Sequence, residues 1–165
     1  MNNSLKSLML SAAVATALAA PGASFANAEI EKLSHDPVNW ATWGGDYYGT
    51  RFSTLSQINK DNVAKLVPVW GHALTDNRGA EGFPLVKDGV IYATIHNATV
   101  AIDALTGKQI WRVAHEYPPE TLRVVCCGIV NRGAAIYEGK IIRALMDNHI
   151  IALDAKTGKE LWKTK

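Results

Sequence analysis

Two copies of one sequence unit, set about fifty residues apart, predict an all-β chain built from propeller blades. The copies occupy residues 89–113 and 139–163. Asp103, Thr106, Gly107 and Trp111 recur as Asp154, Thr157, Gly158 and Trp162, each 51 residues on, whereas Gly89 recurs as Gly139 after 50. One copy therefore carries a one-residue insertion in its first hairpin. Within each copy, short runs of Ile, Val, Leu and Ala are separated by turn residues, the pattern of consecutive antiparallel strands. A period near fifty with about four strands per unit is that of a propeller blade.

The turns and strands follow in order. Lys87-Asp88-Gly89 and Tyr137-Glu138-Gly139 are tight turns in which glycine supplies positive φ. Ile91–Thr94 and Ile141–Ala144 are strands. His96-Asn97-Ala98 and Asp147-Asn148-His149 turn the chain into third strands ending at Asp103 and Asp154. Asp-Ala-x-Thr-Gly then turns it again: the Asp carboxylate accepts backbone N–H groups just downstream and the glycine takes the left-handed position. A last strand carries the tryptophan. A lone blade cannot bury its own faces and relies on stacked neighbours. Two blades are too few to close a ring of four or more. Residues 76–165 are thus expected to be an incomplete domain, the N-terminal piece of a longer propeller.

Residues 29–75 form an opening segment. Its first part, 29–39, reads as a polar lead-in. Trp40–Ser53 is rich in glycine and aromatics without a clean period, and reads as an ordered loop covering apolar surface. Asn59 is a candidate N-cap for a short helix over 60–66. Pro68–Leu74 alternates like a strand, the first outer strand. Thr75–Gly82 is a polar loop.

The first 28 residues have the three parts of a secretory signal peptide. Lys6 is their only charge, Leu8–Ala20 is apolar, and Pro21-Gly22 breaks the run. Two small-x-small sites follow, Ser24-Phe25-Ala26 and Ala26-Asn27-Ala28, so cleavage is expected after Ala26 or after Ala28. The run is shorter than the ~20 apolar residues that span a bilayer. The expected location is the periplasm, an oxidising compartment. Removing Lys6 leaves 16 basic against 15 acidic residues. There is no polybasic run and no interleaving of basic and aromatic residues, which argues against nucleic acid as a partner. No later stretch is apolar enough for a transmembrane helix.

Cys126 and Cys127 are the only cysteines and they are adjacent. Two readings stand. They could be reduced thiols acting as small hydrophobes. Alternatively they form a disulfide across one peptide unit, with Cα atoms at about 3.8 Å or less where ordinary disulfides prefer roughly 4.4–6.8 Å. Such a bond gains almost no loop-closure entropy. Its use would be as a stiff, flat sulfur plate for a planar ligand. An oxidising compartment favours the disulfide.

Ala101–Trp111 and Ala152–Trp162 resemble the tryptophan-docking motif of quinoprotein dehydrogenases. Cys126-Cys127-Gly128-Ile129-Val130-Asn131-Arg132-Gly133 resembles the vicinal-disulfide segment of methanol/ethanol dehydrogenases that use pyrroloquinoline quinone (PQQ). Trp43–Leu66 and Asn77–Val86 resemble the opening segment and first-blade loop of the same family. The resemblance implies an eight-bladed propeller with PQQ in its channel, and the Cys126–Cys127 disulfide against one face of the quinone. It implies that Arg132 donates hydrogen bonds to PQQ oxygens, a task suited to a planar, always-charged fork. It also implies that Glu81 contacts PQQ, which calls for a proton, a nearby cation or a hydrogen-bonded network beside so anionic a ligand.

By the same resemblance the parent protein is an alcohol dehydrogenase that oxidises a primary alcohol and passes electrons to a cytochrome c, assisted by a calcium or lanthanide ion. The catalytic aspartate, metal ligands and second stacking tryptophan belong to later blades, so no catalytic or metal residue is assigned here. Asp103 and Asp154 read as turn residues. The five histidines have no metal-ligand spacing. No Cys-x-x-Cys-His attaches haem, and no glycine-rich loop supports nicotinamide chemistry. The alternatives are a non-catalytic propeller scaffold, which would share the repeat but have no use for the Cys-Cys segment, or an inactive truncated product.

Overall fold

The computed structural model describes residues 27–76, 78, 80–126 and 128–165. Residues 1–26 of the expected leader over 1–28 lie outside them, as do Asn77, Gly79 and Cys127.

The chain is all-β, as the repeat predicts, and forms two four-stranded antiparallel sheets. The first sheet is β1 (Leu85–Lys87), β2 (Val90–Ile95), β3 (Ala98–Asp103) and β4 (Gln109–Ala114), in that spatial order. The second is β5 (Ala135–Tyr137), β6 (Lys140–Ala144), β7 (Ile150–Asp154) and β8 (Glu160–Thr164), ordered the same way. Each is a meander in which consecutive strands pair.

The repeated residues make repeated geometry. Asp88 and Gly89 both have positive φ, as do Glu138 and Gly139, which is the two-residue turn that matches strand twist. Asp103 Oδ1 accepts hydrogen bonds from Thr106 N at 2.7 Å and Thr106 Oγ1 at 2.7 Å. Asp154 Oδ1 accepts from Thr157 N and Oγ1, both at 2.8 Å. The register shifts between Ala101 and Ile102 in one blade and between Ala152 and Leu153 in the other. The extra residue falls where the spacing puts it: Ile95 pairs with Ala98 across a two-residue loop, whereas Leu145 N donates to His149 O around Met146–Asn148.

The blades are joined by side chains that reach across. Trp111 is buried, and a side chain added at Gly158 would meet its indole ring at 2.8 Å. Its Nε1 donates to Ala155 O at 3.0 Å, and Tyr92 Oη donates to the same oxygen at 3.2 Å. In the other direction Arg143, on β6, enters the first blade. It donates to the carbonyls of Ala98, Ile95 and His96 at 2.6, 3.0 and 3.0 Å and to Thr99 Oγ1 at 3.2 Å. These acceptors satisfy both terminal nitrogens of a buried cation that would otherwise be costly, while its Nε is buried without a partner among the described residues. Burial still pulls the guanidinium down to about 10.

The opening segment differs from expectation at three places. Residues 29–39 are not merely polar: α1 (Ala28–Ser34) is capped by Asn27, and it buries Ile30 in the core with Leu33 packed alongside. Only two apolar positions in two turns carry that signal. The helix expected over 60–66 shortens to a 3-10 turn, Val63–Lys65, following Asn62. Asn59 Oδ1 accepts from Asp61 N and its carbonyl from Val63 N, so it shapes the turn before that helix. Residues 68–74 join neither sheet, because a strand needs a ladder partner. They are held on the first blade by side chains: Trp70 Nε1 donates to Ala104 O at 3.2 Å, and an added side chain at Gly107 would meet the indole at 2.6 Å. Trp70 thus sits on the first blade as Trp111 sits on the second.

Candidate functional site

The loop before β1 and the segment before β5 meet through a parallel bridge between Ala80 and Asn131. Each is fixed by short-range polar contacts. In the first, Asp76 pairs with Arg78 at 2.8 Å and lies 3.5 Å from His96 Nε2. Hydrogen bonds from Arg78 hold the Asp76 carboxyl well below the usual carboxylate range. Gly82 is forced by close approach, since an added Cβ would lie 2.6 Å from both Thr94 O and Thr94 Oγ1. In the second, Asn131 is buried, its Oδ1 accepts from Gly133 N at 2.9 Å, and its Nδ2 donates to Ala144 O at 3.2 Å. Gly133 takes φ of 117°. Asn131 therefore sets the direction of its neighbour Arg132. Sequence reasoning assigned it no role, although Asn-x-Gly is a recognisable turn signal.

The bridge brings Glu81 and Arg132 together, with Arg132 Nη1 3.2 Å from Glu81 Oε2. Their side chains are 49% and 72% exposed, so the pair adds little stability. It is a charge pair on a fixed backbone, open to a ligand. Arg132 thus places a cation beside Glu81.

Arg132 and Asn131 line a cleft of about 810 Å³ with Trp43, Phe83, Ile136 and Ile142. The Gly- and aromatic-rich loop over 40–53 supplies one wall. Trp43 packs against Phe83 with ring centroids 6.0 Å apart, and the Arg51 guanidinium lies 4.6 Å over Trp43. A largely apolar cleft with aromatic rings and an exposed guanidinium on its wall suits a planar aromatic ligand that carries hydrogen-bond acceptors.

Cys126 is exposed and follows α2 (Thr121–Val124). Cys127, and with it the expected disulfide, lies outside the described residues. Among the described residues no group of three His, Cys, Asp or Glu comes together to hold a metal ion. None of their helices is long and apolar enough to cross a membrane.

Over residues 40–164 the chain matches the family described as "PQQ: Glucose/ethanol/alcohol dehydrogenase, beta-propeller domain". It is 43% identical over 125 residues to the 1-butanol dehydrogenase (cytochrome c) of Thauera butanivorans, covering 75% of this chain and 18% of that protein. It is 47% identical over 127 residues to the dehydrogenase subunit of alcohol dehydrogenase (quinone) from Gluconacetobacter polyoxogenes, covering 76% of this chain and 17% of that one. Among solved structures, a europium-containing methanol dehydrogenase superposes with a TM-score of 0.78 at 38% identity, over 84% of this chain and 25% of that one. The chain spans about a fifth of the length of these curated relatives.

Proposed function

Because the chain belongs to the PQQ-dependent glucose/ethanol/alcohol dehydrogenase propeller family, we propose that it forms two blades and part of the cofactor wall of a periplasmic alcohol dehydrogenase. The complete enzyme oxidises a primary alcohol to an aldehyde and passes the electrons to a cytochrome c. The observation that carries this reading is the exposed Glu81–Arg132 pair on its two tied loops. A scaffold would gain nothing from fixing an open charge pair beside an apolar cleft.

PQQ is a planar quinone bearing carboxylates, and when bound it accepts the hydride equivalent of the alcohol. This chain's residues hold and orient it. Arg132 donates hydrogen bonds to its oxygens. Glu81 contacts PQQ beside Arg132, which balances its negative charge. Cys126 and Cys127, as a disulfide in the exported protein, supply a flat surface for one face of the ring system. A metal ion, calcium or a lanthanide, would take ligands from outside this chain; the europium named for one structural neighbour supports a metal in the family. The cytochrome c named for the butanol-oxidising relative supports the electron acceptor. Trp70 docks as Trp111 does, which supports reading residues 68–74 as the outer strand of a blade completed elsewhere.

The test is PQQ binding by the complete enzyme, measured by equilibrium dialysis with absorbance detection. Arg132→Ala should weaken binding about 10- to 100-fold, the loss of a charged, two-pronged hydrogen bond worth roughly 1.5–3 kcal/mol. An unchanged affinity removes Arg132 from the site.

A further inference from the structure

The two small-x-small sites at the end of the leader differ by two residues, Asn27 and Ala28, and the structure distinguishes them. Asn27 is built into the fold at four points. Its Oδ1 accepts from Glu29 N at 3.0 Å and so caps α1. Its Nδ2 donates to Ile136 O at 3.1 Å, across 109 residues of sequence. Its main-chain N donates to Tyr47 Oη at 2.8 Å, and its carbonyl accepts from Tyr47 Oη at 3.2 Å and from Glu31 N at 3.1 Å. One residue therefore ties the helix, the aromatic loop and the second blade.

We infer that the leader is removed between Ala26 and Asn27, and that Asn27 is the first residue of the exported chain and its N-terminal clasp. This rests on the export reading above. A cut after Ala26 keeps every bond just described, because a terminal amine still donates to Tyr47. A cut after Ala28 deletes the cap and the contacts to Ile136 and Tyr47. It also leaves a new ammonium on Glu29, whose carboxylate already pairs with Lys87 at 3.0 Å and accepts from Glu138 N at 2.7 Å. That ammonium would compete with Lys87 for the same carboxylate.

The experiment is N-terminal sequencing of the complete enzyme purified from whole cells, with intact mass as a check. Asn27 as the first residue is the expected result. A start at Glu29, or at any other position beyond the leader, overturns the inference while leaving export intact. Retention of Met1 overturns the export reading as well. The clasp is tested by Tyr47→Phe, which leaves both cleavage sequences untouched. The mature N-terminus should be unchanged and the unfolding midpoint lowered. An unchanged midpoint overturns the clasp.

Discussion

The two blades share a sequence and a turn geometry but differ in what their faces touch. Trp111 and Trp162 occupy equivalent positions, each opposite a fully buried alanine, Ala101 or Ala152. Trp111 is 8% exposed because the second blade lies over it, whereas Trp162 is 40% exposed. The motif therefore encodes two separable things. One is local: an Asp-bracketed turn that forms in either blade. The other is a knob that is stabilising only when a neighbour supplies Ala-x-x-Gly to receive it. The asymmetry extends to β2 and β6. Arg143 pairs with Ile151 and Ala93 pairs with Val100 at the corresponding register positions. Arg143 crosses from the second sheet into the first, which its counterpart Ala93 has too short a side chain to do.

The largest expected effect separates the tryptophans. Trp111→Ala removes a buried indole, its contact with Gly158 and its hydrogen bond to Ala155, at a cost of about 3–5 kcal/mol. Trp162→Ala, made in the same 165-residue chain, should cost well under half as much. Urea unfolding of the two variants measures the difference. Equal losses would mean that the knob acts through its own blade and that docking contributes nothing.

Arg143 comes next. Arg143→Ala removes the charged donor to the carbonyls of Ala98, Ile95 and His96, of which His96 O keeps Tyr117 Oη at 2.8 Å, and should cost about 3 kcal/mol. Arg143→Lys should recover part of it, since one ammonium cannot reproduce the fork. A loss below about 1 kcal/mol for the alanine variant would mean that Arg143 contributes little to joining the blades.

These two side chains also mark how far the sequence could be read. The strands, turns and hairpin insertion were legible because glycine, aspartate and β-branched residues act over a few positions. The docking tryptophans were legible because they repeat. Arg143 was not: an arginine in a strand reads as solvent-facing until its neighbour is known. The same reason hid α1, whose Ile30 and Leu33 mean little without the surface they cover. Residues 68–74 alternate correctly but find no ladder partner among the described residues. At the candidate site, Glu81 and Arg132 were named through family resemblance. Their pairing needed the Ala80–Asn131 bridge, which joins segments fifty residues apart.

A pH titration probes the same interblade region. His115 is buried beside Thr99 Oγ1 at 3.2 Å. Burial, with Arg143 and Lys163 nearby, pushes it down from 6.5 to about 4. The unfolded chain thus binds the extra proton between those values. Stability should be level above pH 6.5, fall as pH drops towards 4, and lose about 3 kcal/mol of this component in all. The perturbed aspartates have lowered values and stay ionised through the upper part of that window. His115→Gln should flatten the slope between pH 6.5 and 5. A slope that survives the substitution assigns it to another group.

The smallest effect is the control on the whole comparison. Asp103 and Asp154 make the same hydrogen bonds to Thr106 and Thr157 in turns of the same geometry. Those bonds hold both carboxyls below their ordinary value. If turn formation is local, Asp103→Ala and Asp154→Ala should lower the unfolding midpoint by equal, small amounts, although the first turn receives Trp70 and the second receives Trp111. Each contribution should fade only when pH falls below the ordinary carboxylate range, because a depressed acid loses its contribution on protonation. Thermal melts of the two variants at neutral and acid pH make the measurement. A markedly larger loss for Asp154→Ala would show that the turn is held in place by the tryptophan docked on it, and the division between local turn and neighbour-dependent knob would fail at that point.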